Sequence, residues 1–226
     1  MKFGVLQFFS WPGRRNPLEV VYDRAFDRIR MMDASGYDAV WLAEHHFSTY
    51  SVCPSVHMMG THIAAHTKNI RIGTAVSLAS FYHPLRLAEE VALLDQLSDG
   101  RVNWGAGRGY DPTEHRIFGI EPKESYPRFR EAVDIVLTAW QNDKFSYDGD
   151  YWKFEDVEVL PKVADHNAVL ATLTFTLPEV TAEIREVWMY SAAKWSHMKR
   201  EFAEMSWDWI RGVHPDEVAP KLTDII

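Results

Sequence analysis

The sequence holds one cysteine, Cys53, among 226 residues. That excludes an intrachain disulfide and a thiolate metal cluster, and it suits a reducing compartment such as the cytoplasm. No stretch reaches the ~18 to 20 apolar residues needed to cross a bilayer, and the N-terminal apolar run is broken by Trp11, Pro12 and Gly13 before a secretory segment could form. Arg14-Arg15 does not open a twin-arginine signal, because Asn16, Pro17 and Glu19 stand where apolar residues should follow. Positive charge is scarce: 24 Lys and Arg against 32 Asp and Glu leave a net charge of −8. A nucleic-acid surface would need clustered cations to displace counterions, and no such cluster occurs. Internal repeats and low-complexity segments are missing too. What the chain has in quantity is core material, 46% apolar and 13% aromatic, enough for one large domain.

The first two thirds alternate between strand-like and helix-like segments, the pattern of a parallel sheet covered by helices. Lys2 to Phe9 reads as a strand. Pro17 to Ser35 carries apolar residues at helical spacing and stops at Gly36. Tyr37 to Leu42 is a second strand, Pro54 to Ala65 a second helix, and Asn69 to Leu78, β-branched and alternating, a third strand. Pro84 to Leu97 is a third helix, Ser98-Asp99-Gly100 a turn, and Arg101 to Ala106 a fourth strand running into a Gly-rich loop, Gly105 to Gly109. A fourth helix covers Ser125 to Gln141, and Phe145 to Phe154 forms a hairpin centred on Asp148-Gly149. Beyond Pro161 come one strand candidate, Ala168 to Thr176, and helical stretches at Pro178 to Arg211 and Pro215 to Ile226. The fold class is therefore α/β. Four β-α units in a row match the first half of a (β/α)8 barrel of TIM type, whose usual length of about 250 residues leaves the barrel incomplete here, with a helical C-terminal segment.

In parallel α/β folds functional groups collect in the loops at the carboxyl ends of the strands. After the second strand comes Glu44-His45-His46, a carboxylate with two imidazoles, suited to proton transfer. On an extended segment side chains alternate, so Glu44 and His46 share a face opposite His45. A metal would need a third ligand, and His57, His62 and His66 lie on a helix away from any partner pattern, so no metal site is expected. Hydrogen-bonded imidazoles at a strand end are the plainer alternative. The small residues Gly105 to Gly109 let backbone N–H groups approach an anion, and Arg108 adds a cation with two donors. A tight turn is the other reading of that loop. The smallness of Gly73-Thr74-Ala75 suggests either a flat group packed on the strand or close helix packing. Glu89, Glu90 and Asp95 read as a solvated face or dimer rim, and Trp188, Trp195, Trp207 and Trp209 as core or interface.

Trp41 to Phe47 (WLAEHHF), Ile72 to Leu78 (IGTAVSL), His83 to Val102 (HPLRLAEEVALLDQLSDGRV), Gly105 to Tyr110 (GAGRGY) and Tyr147 to Lys162 (YDGDYWKFEDVEVLPK) occur in this order. Together they resemble the bacterial luciferase-like flavin-dependent monooxygenases. The resemblance implies a (β/α)8 barrel that binds reduced FMN from a separate NAD(P)H-dependent flavin reductase, adds O2 at the flavin and oxidises a small organic substrate. By motif position His45 resembles the catalytic histidine beside the flavin. Ala75-Val76 resembles the bulge under the ring, often with a non-proline cis peptide, and Gly107 with Arg108 resembles part of the phosphate grip. The family also implies a homodimer through Pro54 to Ala65 and Pro84 to Leu97, where Val91, Leu93, Leu94 and Leu97 suit burial in an interface or in the chain's own core. The resemblance covers residues 1 to 162, read as the first half of the barrel with a hairpin insertion. Residues 163 to 226 read as a divergent helical segment, with Gly212 to Ile226 similar to a late family helix. Two other readings stay open: a non-catalytic flavin-binding or partner subunit, and a deazaflavin-dependent oxidoreductase of the same superfamily.

Overall fold

A computed structural model describes residues 2–163. Four short strands, β1 (Gly4–Gln7), β2 (Ala39–Leu42), β3 (Arg71–Thr74) and β5 (Val102–Asn103), form one sheet in the order β1-β2-β3-β5, and every pairing is parallel. Between them run α1 (Leu18–Ala34), α2 (Val56–His66) and α3 (Pro84–Leu97). Local chemistry marks the starts of α2 and α3. The side chain of Ser55 accepts the Met58 N–H at the start of α2, and Pro84 occupies the first turn of α3, where its missing N–H costs nothing. After α3 the chain turns through Asp99 and Gly100, both at positive φ, and the Gly100 N–H donates to the Asp95 carbonyl at 2.9 Å.

The third expected strand is two. β3 ends at Thr74, a cis peptide joins Ala75 to Val76, and the chain resumes as β4 (Ser77–Leu78). The fourth expected strand is likewise divided into β5 and β6 (Ala106–Gly107), and β6 pairs in parallel with β4. Gly107 is thus strand, not free loop. Thr74 spans the break, its hydroxyl donating to the Gly105 carbonyl and accepting the Gly105 N–H, both at 2.8 Å. A helix that periodicity does not signal, α4 (Pro112–Phe118), follows. Asp111 caps it by accepting the Thr113 N–H at 2.7 Å, and it stops at Gly119 with φ 71°. Next come α5 (Pro122–Gln141) and a hairpin of β7 (Phe145–Asp148) and β8 (Lys153–Val157). Asp148-Gly149 is not the hairpin centre, because Asp148 pairs with Lys153 and residues 149–152 form the loop. Its shape is imposed from α5, where the Glu131 carboxylate accepts the N–H groups of Asp150, Tyr151 and Trp152.

Two apolar clusters hold these layers. Ala25 and Ile29 of α1, Val56 and Ile63 of α2 and Leu94 of α3 pack with Val40, Leu42 and Ile72 of the sheet. Leu87, Ala88 and Val91 of α3 meet Ala132, Ile135, Val136 and Ala139 of α5, with Phe145 and Trp152 from the hairpin. A fully buried aliphatic side chain of this kind contributes about 1.5 to 3 kcal/mol. The flat group lying on Gly73 is internal: a Cβ there would stand 2.2 Å from the Trp41 indole, which also lies against Gly4. Asp95 is buried, with its Oδ1 3.4 Å from the Val102 N–H, and does not belong to a solvated face. Among the described residues no helix is long and apolar enough to cross a membrane. The strand and helices expected after Pro161, and the four late tryptophans, lie outside the described residues.

Candidate active site

At the carboxyl ends of the strands lies a cleft of about 270 Å³ lined by Glu44, His45, Ala75, Val76, Leu78, Gly107, Arg108, Gly109, Tyr110 and Glu114. All five residues singled out from the sequence for catalysis or cofactor contact, His45, Ala75, Val76, Gly107 and Arg108, are in its wall. They arrive from three strand ends: His45 follows β2, Ala75 and Val76 bridge β3 and β4, and Gly107 with Arg108 closes β6. The main chain of one wall lies against the Val76 side chain of the other. A Cβ on Gly107 would meet Val76 Cγ2 at 2.4 Å, so only glycine lets β6 approach the Ala75-Val76 bulge.

His45 is held on both sides. Its N–H donates to the Cys53 carbonyl at 3.1 Å in an isolated antiparallel bridge, and its Nδ1 lies 3.4 Å from Glu114 Oε1, with the Glu114 side chain only 2% exposed. The same carboxylate oxygen accepts the His46 N–H at 2.8 Å. Glu44 and His46 meet on the opposite face, as alternation requires: His46 Nε2 lies 3.0 Å from Glu44 Oε1. Glu44 also accepts the Leu78 N–H at 3.2 Å and the Tyr82 hydroxyl at 3.0 Å. Burial, then the Glu44 charge, raises the Tyr82 hydroxyl far above its ordinary value, so Tyr82 stays a donor to Glu44. Around the His45 ring stand Tyr50 at 5.1 Å, Tyr110 at 6.2 Å and Phe8 at 6.3 Å between centroids. Arg108 is exposed, its Nη1 3.4 Å from Ser125 Oγ near the start of α5. No group of three His, Cys, Asp or Glu placed to hold a metal occurs among the described residues.

A sequence profile described as luciferase-like monooxygenase matches residues 1–217. The chain belongs to this family. The alkanal monooxygenase alpha chain of Aliivibrio fischeri is 32% identical over 169 residues, which is 74% of this chain and 47% of that one. Among solved structures, the monooxygenase RslO1 from Streptomyces bottropensis superposes with a TM-score of 0.69 at 31% identity, over 72% of this chain and 50% of its own. The oxygenating constituent of 3,6-diketocamphane monooxygenase from Pseudomonas putida, solved in complex with FMN, gives a TM-score of 0.64 at 26% identity, over 71% and 45%. The chain spans about half the length of the curated relatives it matches. Its four parallel β-α units are those of a luciferase-like barrel of TIM type.

For a luciferase-like chain, the residue that reading along the sequence overlooks is Glu114. Asp111-Pro112-Thr113-Glu114 has the form of a capping box, in which the acid at the third helical position turns back to the helix start. Here the Asp111 cap is used, but Glu114 reaches His45 and His46 instead. The pattern would have located α4 and put a carboxylate just after the Gly-rich segment. The separation of 68 positions between His46 and Glu114 hides the pairing.

Proposed function

We propose that the cleft binds reduced FMN and that the chain is the oxygenating part of a flavin-dependent monooxygenase acting, with O2, on a small organic substrate. The observation that carries this reading is the convergence of His45, Ala75, Val76, Gly107 and Arg108 on one cleft. FMN bound to the diketocamphane relative supports FMN over a deazaflavin, and that relative's description as an oxygenating constituent supports a separate NAD(P)H-dependent flavin reductase as partner. When bound, the reduced flavin supplies the electrons for oxygen chemistry.

The chain's own residues orient, shield and move protons. Ala75 and Val76 form a small apolar floor for a flat ring. Gly107 keeps β6 close to that floor, and the exposed guanidinium of Arg108 is free to grip a phosphate through two donors. With Nδ1 of His45 directed at the buried Glu114 carboxylate, Nε2 is the nitrogen left to serve the cleft, so His45 is the catalytic residue and Glu114 its positioning partner. Phe8, Tyr50 and Tyr110 shelter the imidazole from bulk water. A purely binding subunit would have no use for such an oriented base, which favours catalysis. The same reading includes a cytoplasmic homodimer formed through α2 and α3, whose Met58, Leu93 and Leu97 are exposed.

Titration of the purified chain with FMN, reduced FMN and a deazaflavin tests this. Tightest binding of reduced FMN, with NAD(P)H consumed only when a reductase is added, is the expected outcome, and binding of no flavin at all removes the proposal. His45→Ala should abolish oxygenation and leave flavin affinity intact. Arg108→Ala should weaken affinity by about 1.5 to 3 kcal/mol, the worth of a hydrogen bond to a charged group; unchanged affinity would take Arg108 out of the phosphate site.

A further inference from the structure

His57 lies on α2 outside the cleft wall, is 3% exposed and is hydrogen-bonded on both sides of its ring. Nδ1 is 3.1 Å from Glu90 Oε2 on α3, and Nε2 is 2.9 Å from Ser77 Oγ on β4. Glu90 is in turn held by Arg86 Nε at 2.7 Å, and the His57 ring meets the edge of Tyr82 at 5.5 Å between centroids. An ionised carboxylate only accepts hydrogen bonds. Nδ1 therefore carries its hydrogen toward Glu90, and in the neutral ring Nε2 accepts the Ser77 hydroxyl. Ser77 is fully buried and sits directly between the Ala75-Val76 floor and Leu78, another cleft residue. The Ser77 N–H donates to the Gly105 carbonyl at 2.8 Å, and the next N–H, that of Leu78, goes to Glu44.

We infer that His57 is a positioning residue: through Ser77 it anchors the end of the bulge to α2 and α3 and so fixes the height of the cleft floor. The consequence for ligand binding rests on the flavin reading above; the anchoring itself does not. Packing alone does not call for this arrangement, since an apolar side chain would fill the slot between α2 and α3. A fully satisfied polar chain from Arg86 through Glu90 and His57 to Ser77 instead holds one arrangement of the segment against its alternatives. Neither His57 nor Ser77 touches the cleft, so each acts through the backbone of residues 75–78.

The test compares wild type with Ser77→Ala, His57→Leu and His57→Gln by amide hydrogen exchange, and then by affinity for reduced FMN and the circular dichroism of the bound flavin. In Ser77→Ala, which loses only a hydroxyl, and in His57→Leu, exchange at Ser77 and Leu78 should quicken at least tenfold while Val40 and Leu42 in β2 stay protected. His57→Gln, which retains a group facing Ser77, should recover most of that protection. Reduced FMN should bind about tenfold more weakly to the first two variants, with an altered flavin dichroism. Exchange at residues 77 and 78 that matches wild type in Ser77→Ala overturns the inference. If wild type binds no flavin, the proposed function fails, and the exchange measurement still decides whether His57 anchors the bulge.

Discussion

Cys53 is fully buried behind the strand-end bridge to His45. Burial, and then the Glu44 charge, pushes its thiol up to about 12. Since the thiolate is the reactive form, native protein at pH 8 should not react with an aromatic disulfide reagent on the scale of minutes and should release one equivalent once denatured; prompt labelling of the native protein would contradict the burial. The individual site residues were legible to the extent that their chemistry is local. Alternation in Glu44-His45-His46 correctly separated the two imidazoles onto opposite faces. The small residues Gly73-Thr74-Ala75 signalled a flat neighbour but not which one: at Gly73 it is the Trp41 indole of the neighbouring strand, which only the register Trp41 opposite Gly73 reveals. The pairing of Glu114 with His45 and His46 was hidden for the same kind of reason, since those partners lie far back in the chain.

Long helices could be read from the sequence, short elements could not. α3 has the bounds its Pro84 and Ser98-Asp99-Gly100 signals set, and α1 is within one residue of its expected ends. The seven-residue α4 is too short for a 3.6-residue period to register. The division of β3 from β4 and of β5 from β6 comes from tertiary contacts at the bulge, which strand propensity does not encode. The hairpin turn is likewise set from outside, by Glu131. Glu131→Ala strips one carboxylate from three N–H groups of the loop and should lower the urea-derived stability by about 1.5 to 3 kcal/mol, and Gly149→Ala should also destabilise, since its Cβ would fall on that carboxylate. The α2–α3 contact carries a pH signature. The hydrogen bond from His57, and then that from Arg86, hold the Glu90 carboxyl below its ordinary value of 4.5 against the effect of burial. A depressed carboxyl contributes stability that is complete above that value and is lost as the pH falls through the folded-state value. Thermal melts of Glu90→Gln should therefore differ from wild type at pH 6 and converge with it as the pH drops below 4.5; an equal gap at every pH would remove Glu90 as the cause.

For the molecule as a whole, the α/β class and the parallel order of four strands followed from alternation of element types alone, whereas the family needed the motifs taken together. The four apolar residues of α3 weighed for an interface divide evenly. Val91 and Leu94, each 1% exposed, serve the chain's own core, and Leu93 and Leu97, 49% and 56% exposed, remain at the surface. Pairing through α2 and α3 predicts that wild type sediments as a dimer at micromolar concentration and that Leu93→Lys with Leu97→Lys sediments as a monomer with unchanged far-ultraviolet circular dichroism. A monomeric wild type would dismiss the interface.

The twofold clasp of Thr74 on Gly105, with β4 laid beside β6, has a practical outcome. The two sides of the cleft are joined by the Thr74 hydroxyl and by the parallel pairing of β4 with β6, so their separation does not rest on the aromatic side chains at its rim. Exchanges at an exposed wall position such as Tyr110 can therefore alter the mouth of the cleft while its floor keeps its dimensions.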